Sequence, residues 1–422
     1  MSEPKQRILT FSHGHPDFHL GGGELAAYNL YKAYGKRPDV EASYFVARHD
    51  RGRGATGAIS LRRQNEYLWE QSVGDWLRMR SVNSHSLQNS FPDLIRALRP
   101  TVVHTHHYLH LGLEYLQVIK RIDPAIRIVM TLHEYAAICF NNGQMIKTGT
   151  QRLCTRESPE DCRRCFPDRS VEDFWLRKHR FRGYFRLVDH FVAPSEFLRQ
   201  RYIDWGIAPE RISVIENGQA SSGMLPPRAL PDGETRNRFA FFGQINPYKG
   251  IDVLLEGLML LKKSERRKLV LEVHGANLEF QTEEFQARIA RLRKRLEADG
   301  TVQWVGPYEP FQMKQRMAHA DWVVIPSIWW ENSPMVIQEA FALGRPVVGS
   351  DIGGMAEKIT DGVDGVHVPA RNARAWGETL LQLSSYKDEW TRLRDGITQP
   401  LTYDQCAEAH MKLVRNIAKV AA

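Results

Sequence analysis

The chain has 422 residues, a length that predicts two or three domains. Hydrophobic residues make up 42% of it and charged residues 25%, which argues against disorder and predicts globular protein. The formal net charge of +8 suits anionic partners. The sequence carries no zinc-finger, homeodomain or RNP signature, so we expect no nucleic-acid partner.

No segment of the sequence resembles a membrane element. No apolar run approaches the roughly 20 residues that a bilayer span needs. The stretch 1–7 lacks the apolar core of a signal peptide, so we expect a cytoplasmic protein. Five cysteines is an odd count in a chain without an export signal, which argues against a disulfide framework.

The first half of the chain alternates predicted strands with predicted helices, the pattern of a parallel sheet built from βαβ units. A strand over 8–11 leads into a glycine-rich loop and an amphipathic helix over about 24–34. Four further strands, each ending in polar residues or a turn, are predicted at 102–107 (VVHTHH), 126–134 (IRIVMTLHE), 189–195 (DHFVAPS) and 212–218 (ISVIENG).

A second alternating series follows an interruption. Residues 219–238 are rich in glycine, proline and serine without periodicity, which predicts a linker. A strand at 239–243 and a helix at 251–261 then open the second half. Four more apolar runs predict buried strands: LVLEVHG, VQWVG, WVVIPS and PVVGS.

The alternation predicts an α/β protein with two doubly wound, Rossmann-like domains. The first covers 1–220 and contains a cysteine-bearing insertion at about 139–168, and the second covers 236–400. A last helix within 401–422 could return to the first domain. Ligands bind beyond the carboxyl ends of strands in open parallel sheets, so two such domains facing each other would form a central cleft.

Two polar features follow strands of the first domain. Gly21, Gly22 and Gly23 open a helix, where backbone N–H groups could approach an anion; a flexible turn is the alternative. His133 ends a strand and could donate a hydrogen bond to a substrate or act as an acid or base. Further histidines lie nearby in the sequence, without the HExxH spacing of a metal site: His13, His15, His19, His104, His106, His107 and His110.

Four cysteines fall in the insertion of the first domain: Cys139, Cys154, Cys162 and Cys165. The CxxC end of this set is common in tetrahedral zinc sites, but the other two spacings are irregular. Structural zinc and four ordinary thiols therefore both remain open. Cys406 lies far away in the sequence.

Basic and aromatic residues interleave between Ser170 and Arg201. Such a helix suits an anionic membrane surface. The alternative is a helix whose apolar stripe packs inward and whose basic face is solvated. The interruption of the stripe by Gly183 favours this alternative.

A strand-end loop of the second domain carries a lysine. Residues 243–250, GQINPYKG, join a predicted strand to a predicted helix. Lys249 in that position could neutralise a phosphate.

The stretch WWENSPMVIQEA holds two carboxylates eight positions apart, Glu331 and Glu339. Glu331 follows a buried strand. Asn332 or Ser333 could cap the next helix, and Pro334 fits its first turn. The free amides at that helix terminus suit a diphosphate. Glu339 could accept hydrogen bonds from the two hydroxyls of a ribose.

Together these features resemble the family-four retaining glycosyltransferases (glycosyl transferases group 1), which have the GT-B fold. The resemblance spans about 8–369, most of the chain. Its most specific part is the Glu-x7-Glu element with GRPVV and GG downstream. The other motifs are GGGE, HTHH, TLH, APSEFLRQRYIDWGI, FFGQINPYKG and DGVDGVHVP.

The resemblance implies a role for each of these residues. His133, Glu331 and Lys249 would be the catalytic group: His133 and Glu331 would lie by the donor sugar, and Lys249 would pair with the diphosphate. Glu339 would bind the ribose. The remaining contacts to sugar and phosphate would come from Gly22, Gly23, Asn332, Ser333, Pro334 and Met335.

The chain departs from the family pattern at Gln244, where the family usually has arginine. Gln244 is still expected to contact the diphosphate, because glutamine can donate a hydrogen bond. It carries no charge, so stabilisation of the leaving group would rest more on Lys249 and the helix amides. Arg345 lies behind the helix and is not an obvious substitute.

The activity that the resemblance implies is retaining transfer of a sugar from a nucleotide sugar, UDP- or GDP-linked, to a saccharide or lipid-linked saccharide. It implies surface-polysaccharide or glycoconjugate assembly, with no metal required for catalysis. The protein could contact the inner face of the membrane peripherally. Two alternatives remain open: a nucleotide-sugar epimerase of the same fold, and a non-catalytic protein that binds a nucleotide or glycan, which Gln244 favours.

Overall fold

In the computed structural model, residues 4–19, 21–49, 58–221 and 223–421 are described. The chain divides into two compact units: Met1–Gly218 with Leu401–Ala422, and Gln219–Pro400. Each unit is built on one largely parallel sheet. The predicted α/β class with two Rossmann-like domains is confirmed.

The first unit contains an eight-stranded sheet in the order β10-β9-β8-β7-β1-β2-β4-β3, parallel except for the antiparallel edge strand β3. A separate small hairpin pairs β5 with β6. The strands are β1 (Gln6–Ser12), β2 (Val40–His49), β3 (Ile59–Arg63), β4 (Glu66–Glu70), β5 (Val73–Asp75), β6 (Arg80–Ser81), β7 (Val102–Thr105), β8 (Arg127–Thr131), β9 (His190–Ala193) and β10 (Ile212–Val214).

Seven helices accompany these strands before the chain enters the second unit. They are α1 (Gly22–Gly35), α2 (Ser84–Gln88), α3 (Ser90–Leu98), α4 (Glu114–Ile122), α5 (Pro159–Cys165), α6 (Val171–Phe185) and α7 (Glu196–Trp205). The helix expected at about 24–34 is α1, and the strands expected at 102–107, 126–134, 189–195 and 212–218 contain β7, β8, β9 and β10. No element was predicted between residues 34 and 102, where β2 to β6 lie.

The second unit contains a six-stranded, fully parallel sheet in the order β13-β12-β11-β14-β15-β16. Its strands are β11 (Arg238–Gln244), β12 (Val270–Ala276), β13 (Val302–Trp304), β14 (Trp322–Ile325), β15 (Val347–Ser350) and β16 (Gly365–Val368). Its helices are α8 (Ile251–Leu260), α9 (Lys263–Arg266), α10 (Glu283–Ala298), α11 (Met313–Ala318), α12 (Met335–Ala342), α13 (Gly353–Lys358), α14 (Ala373–Ser385) and α15 (Lys387–Asp395).

Strand β11 shows how the sequence builds two layers around this sheet. Phe239 and Phe241 pack with buried residues of α8, α10 and α14. Ala240 and Phe242 pack with buried residues of α11, α12 and α13. Successive side chains of a strand point to opposite faces, and both faces here are covered, which explains why the run is apolar at every position.

The stretch predicted as a linker is ordered against the second unit from Gln219 onward. Its arginines explain why. The guanidinium of Arg228 lies 2.9 Å from the buried carboxylate of Asp321, and that of Arg236 lies 3.1 Å from it. A buried carboxylate needs such partners, so the charge pairs fix the segment. The second unit therefore begins before residue 236, the boundary expected from composition.

The last helix, α16 (Tyr403–Ala421), belongs to the first unit and packs on α1. Met411 and Val414 are buried with Leu30 and Tyr34 of α1 in one apolar cluster. Among the described residues, no helix combines the length and the apolarity that crossing a bilayer demands.

The packing of α16 predicts a large cost for truncating a buried side chain. Met411→Ala should lower the free energy of unfolding of the first unit by about 2–5 kcal/mol, because it leaves a cavity in a closed core. Lys412→Ala, at the neighbouring exposed position, is the matched control and should change it by less than about 0.5 kcal/mol. Chemical denaturation measures the free energy of unfolding of both variants. Equal losses in the two variants would contradict the packing of Met411 in the core.

Candidate functional site

The strand order in the sheet of the second unit reverses between β11 and β14. These strands pair directly although β12 and β13 lie between them in the sequence. Counted within the unit, the order is 3-2-1-4-5-6, the doubly wound order in which ligands bind beyond the carboxyl ends of the strands at the reversal. The loops that leave the two strands there carry Lys249 and Glu331.

Lys249 and Glu331 form an ion pair across these two loops. The Nζ atom of Lys249 lies 2.6 Å from Oε1 of Glu331. The same oxygen accepts hydrogen bonds from the Ser327 hydroxyl at 2.8 Å and from the Trp329 indole N–H at 2.9 Å. Burial raises the pKa of Glu331, but the Lys249 charge and these three bonds outweigh it, so the pKa lies below its ordinary value.

Close backbone packing brings the two loops together. Gly250 follows Lys249 with φ +67°, and a Cβ atom there would clash with the carbonyl oxygen of Pro326 in the other loop. Only glycine satisfies both conditions without strain. The Ile328 amide also donates to the Tyr248 carbonyl at 2.8 Å. The ion pair is therefore held on a rigid backbone frame.

The structure corrects the predicted start of the helix between the two glutamates. Helix α12 begins at Met335, and Pro334 is its N-cap rather than a residue of its first turn. Neither Asn332 nor Ser333 caps it, because no side chain bonds to its first amides. The hydroxyl of Ser333 is buried without a hydrogen-bond partner. The first amides of α12 remain available to a ligand.

Glu339 lies about one turn inside α12. Its side chain is half-buried, and its carboxylate has no hydrogen-bond or ion-pair partner within the described parts of the chain. Burial raises the pKa of Glu339 to about 7. The nearby Tyr308 phenol also has a raised pKa, from burial and from the Glu339 charge.

Gln244 and Arg345 differ sharply in their surroundings. Gln244 is exposed at the end of β11, and its side-chain oxygen accepts from the Asn246 amide at 3.4 Å. Arg345 is fully buried, and its guanidinium donates to five backbone carbonyls, those of Pro226, Met317, Ala318, Leu343 and Gly344. Arg345 is structural, as its sequence position suggested, and does not replace the missing arginine.

In the first unit the sheet reverses between β1 and β7, which pair directly. The loops beyond them hold Gly22 and Gly23 at the start of α1 and His107 after β7. A Cβ atom on Gly23 would lie 2.5 Å from Nε2 of His107, so glycine allows the imidazole to approach the helix start. The helix begins at Gly22, two residues earlier than predicted.

Most of the histidines singled out in the sequence meet in this part of the first unit. The rings of His13, His104, His106, His107, His110 and His133 form a continuous chain of contacts. A further member, His410 of α16, was not among the histidines predicted to lie here; its ring lies 4.7 Å from that of His104. His15 is apart from them and contacts Glu66 at 3.1 Å.

His133 is half-buried and hydrogen-bonded to another histidine. Its Nε2 atom lies 3.0 Å from Nδ1 of His106. Burial and the neighbouring His13 lower the pKa of His133 to about 4, although Glu24 opposes them. His133 is therefore neutral near pH 7, which favours a hydrogen-bonding role over acid–base catalysis.

The tautomer of His133 follows from the unpaired atom of its partner. Nε2 of His106 is buried without a hydrogen-bond partner. Burying an N–H group without an acceptor costs more free energy than burying a ring nitrogen lone pair without a donor. The proton of His106 is therefore on Nδ1, which donates it in a hydrogen bond to Nε2 of His133. That arrangement leaves Nδ1 of His133 protonated as a free donor.

One compact set of metal-ligand types occurs among the described residues: His13, Glu24 and His107, whose ligand atoms lie within 4.8 Å of one another. Nε2 of His13 already contacts the Glu24 carboxylate at 2.9 Å. Burial raises the pKa of Glu24, but the bond from His13 and a backbone N–H lower it below its ordinary value. The set is thus either a hydrogen-bonded anchor for α1 or a site for a divalent cation.

The sequence reading missed Glu134, the residue after His133. Its carboxylate accepts from the Ala136 amide and from the Tyr108 hydroxyl, and burial raises its pKa to about 7. The signal was present in the letters TLHE, where an acid directly follows the strand-end histidine. Only the fold shows that this acid turns inward.

Most of the aromatic residues of helix α6 pack inward, as the alternative to a membrane surface predicted, but Trp175 is exposed. Phe174, Phe181 and Phe185 are buried. The expectation of a fully solvated basic face is wrong at Arg177, which is buried and donates to the carbonyls of Ala136 and Ala137. The two carbonyls offset the cost of burying this charge.

Two family models match the chain. The Glycosyltransferase Family 4 model matches residues 20–219, and the Glycosyl transferases group 1 model matches residues 227–397. The matches fall one in each unit. Together they cover all of the chain except residues 1–19, 220–226 and 398–422.

Curated relatives match over part of the chain. A D-inositol 3-phosphate glycosyltransferase of Corynebacterium efficiens is 29% identical over 199 residues, 44% of this chain and 46% of that protein. A lipopolysaccharide 1,2-N-acetylglucosaminetransferase of Salmonella typhimurium is 29% identical over 185 residues, 42% of this chain and 48% of that protein. The matched part thus spans about half the length of these relatives.

Solved structures share the fold over nearly the whole chain. The structure of Anabaena HepE in complex with UDP and glucose superposes with a TM-score of 0.63 and 17% identity, covering 97% of this chain and 99% of that one. At that identity the likeness shows the fold. With both units matched by family models and the fold shared end to end, the chain belongs to the group 1 glycosyltransferases, with the GT-B fold.

Proposed function

We propose that this protein transfers a sugar from a nucleotide sugar to a saccharide or lipid-linked saccharide acceptor with retention of configuration. The observation that carries the proposal is the set of charges at the strand reversal of the second unit. A partnered lysine and glutamate lie there beside a helix terminus, and a carboxylate without a partner lies within that helix. Such a set complements a nucleoside diphosphate linked to a sugar.

Glu339 is the proposed ribose ligand. A half-buried carboxylate without donors gains free energy from a ligand that supplies two hydroxyl groups at once. The ribose of a nucleotide supplies them in the geometry that acidic residues bind in other doubly wound domains. Burial raises the pKa of Glu339 to about 7, and no hydrogen bond from the described residues offsets this rise.

Lys249 and Glu331 are the proposed ligands of diphosphate and sugar. An ammonium group has three donors, and only one is used by Glu331, so others can serve phosphate oxygens. Glu331 receives all three of its hydrogen bonds on Oε1, which leaves Oε2 for a sugar hydroxyl. The first amides of α12, with those of Asn332 and Ser333, would complete the phosphate contacts.

The first unit is proposed to contribute hydrogen-bond donors rather than a proton shuttle. Neutral His133, with Nδ1 protonated, suits a sugar hydroxyl, and the glycines at the start of α1 suit a phosphate. Retention without a required metal follows the family resemblance. The UDP complex of the Anabaena neighbour and the saccharide acceptor in the name of the Salmonella relative support this donor and acceptor class.

Gln244 supports a second candidate, a non-catalytic protein that binds the nucleotide or a glycan. The exposed amide lies where the family usually has a charge that stabilises the leaving group. Turnover separates the candidates: nucleoside diphosphate release from a panel of UDP- and GDP-sugars, with and without a lipid extract as acceptor. Acceptor-dependent release supports transfer, isomerised donor supports an epimerase, and binding without either supports the second candidate.

The proposed roles predict weaker nucleotide binding in two variants. Lys249→Ala and Glu339→Gln should each weaken the affinity for UDP or GDP by about tenfold or more, since each loses a charge-assisted contact. Titration calorimetry near neutral pH measures this. Exposed residues of the same unit provide the controls, Lys314→Ala and Glu279→Gln, which should leave affinity unchanged. Unchanged affinity in the first two variants, or no nucleotide binding by the wild type, would refute the assignment.

Because the pKa of Glu339 is raised, replacing its carboxylate with a neutral side chain should increase the free energy of unfolding by an amount that depends on pH. The folded protein holds the Glu339 proton up to a pKa of about 7, whereas the unfolded chain releases it near the ordinary 4.5. The wild type therefore loses stability as pH rises through this interval.

Glu339→Gln should consequently raise the free energy of unfolding by about 2 kcal/mol at about pH 8 and leave it nearly unchanged at about pH 4. Urea denaturation at both pH values, without nucleotide, measures the difference. Glu279→Gln again serves as the control, because that side chain is exposed. A gain that is equal at both pH values would show that Glu339 is ionised normally.

A further inference from the structure

The four cysteines of the insertion line a single pocket in the first unit. The pocket has a cavity volume of about 30 Å³ and is bounded by Cys139, Cys154, Cys162 and Cys165 together with apolar and charged neighbours. Each of the four cysteines is half-buried and is a thiol rather than half of a disulfide. Four cysteines separated by up to 26 positions in the sequence thus converge on one place.

Three short elements bring the cysteines together. Cys139 lies in the turn after β8, where its amide donates to the Tyr135 carbonyl at 2.8 Å. Cys154 ends a small hairpin and donates its amide to the Met145 carbonyl at 2.7 Å. Cys162 and Cys165 are three residues apart on α5, so their side chains share one face. A turn, a hairpin and a helix thus form one compact scaffold around the four thiols.

We propose that Cys139, Cys154, Cys162 and Cys165 bind one structural Zn²⁺ ion in tetrahedral coordination. Zinc holds four thiolates at about 2.3 Å, which places the sulfurs about 4 Å apart. Among the described residues no three of these sulfurs lie within 4.8 Å of one another, so binding draws the turn, the hairpin and the helix closer. The scaffold permits this because the sulfurs already border one open pocket.

The zinc site stabilises the segment that carries the proposed sugar-binding histidine. Cys139 lies six residues after His133 in the same loop. Arg177 of α6 donates to the carbonyls of Ala136 and Ala137 between them, and α5 packs on α6. Zinc therefore ties the loop after β8 to α5 and α6. The metal has no role in the transfer step and does not depend on the proposed function.

Metal analysis of purified, reduced, untagged protein tests the site directly. Wild type should contain about one zinc per chain, and Cys154→Ser and Cys162→Ser should each lose most of it. Cys406→Ser is the matched control: this buried thiol donates to the Glu216 carbonyl, far from the pocket in sequence, and its zinc content should equal the wild-type value. His13→Ala should also retain the zinc, which separates this site from the histidine–carboxylate set.

Cobalt substitution of the wild type keeps the test decisive where a cysteine variant fails to fold. Co²⁺ in four thiolates should give the near-ultraviolet bands of sulfur-to-metal charge transfer and visible bands of tetrahedral cobalt. Cys165→His should keep the tetrahedral bands but lose part of the charge-transfer intensity, because imidazole replaces one thiolate.

Three outcomes would overturn the proposal. The first is wild type that contains no zinc and shows no charge-transfer band with cobalt. The second is zinc that survives Cys162→Ser but is lost in His13→Ala. The third is metal-free protein in which Cys162 and Cys165 form a disulfide as isolated under native conditions. Nucleotide binding by the same wild-type sample shows separately whether the proposed function holds.

Discussion

The buried ion pair of Lys249 and Glu331 is the constraint on which the arrangement of the loops after β11 and β14 depends. A carboxylate that is 7% exposed is stable as an anion only when charge and hydrogen bonds compensate for lost hydration. Here the compensation comes from a neighbouring loop and from two side chains of its own loop. The pair therefore fixes two loops that belong to strands distant in sequence but adjacent in the sheet.

The Lys249–Glu331 pair also explains residues whose presence the helix and strand patterns of the sequence do not account for. Gly250 permits the close approach of the two loops, and Trp329 donates to Glu331 while its ring lies 6.0 Å from the Lys249 ammonium. Trp329 thus has a role beyond packing. Among the described residues, Glu339 on the helix that follows has no comparable partner, which is why we propose it as the ribose ligand.

The sequence predicted the parallel core of each unit, because buried parallel strands are continuous apolar runs. The roles of the site residues remain predictions. The sequence-based predictions were wrong where contacts between side chains determine the local structure. The predicted caps at Asn332 and Ser333 are ordinary helix chemistry, yet the helix begins at Met335. The supposed linker is fixed by arginines on Asp321, a partner more than 80 residues away.

The histidines of the first unit show the same limit. Their number was evident, but the contact of His410 with His104 depends on the return of α16, which periodicity alone could not establish. The low pKa of His133 likewise results from burial among other rings. A strand-end histidine therefore becomes a neutral donor only in the folded unit.

A double-variant cycle on nucleotide binding tests the central claim most directly. Titration calorimetry with UDP, or with GDP if that is the ligand, would compare wild type, Lys249→Met, Glu331→Gln and the double variant. If the pair acts as one unit, the losses in binding free energy should be non-additive by about 1–3 kcal/mol, since removing either partner already releases the other. Losses that add within experimental error would show that the two residues act independently and would contradict the account.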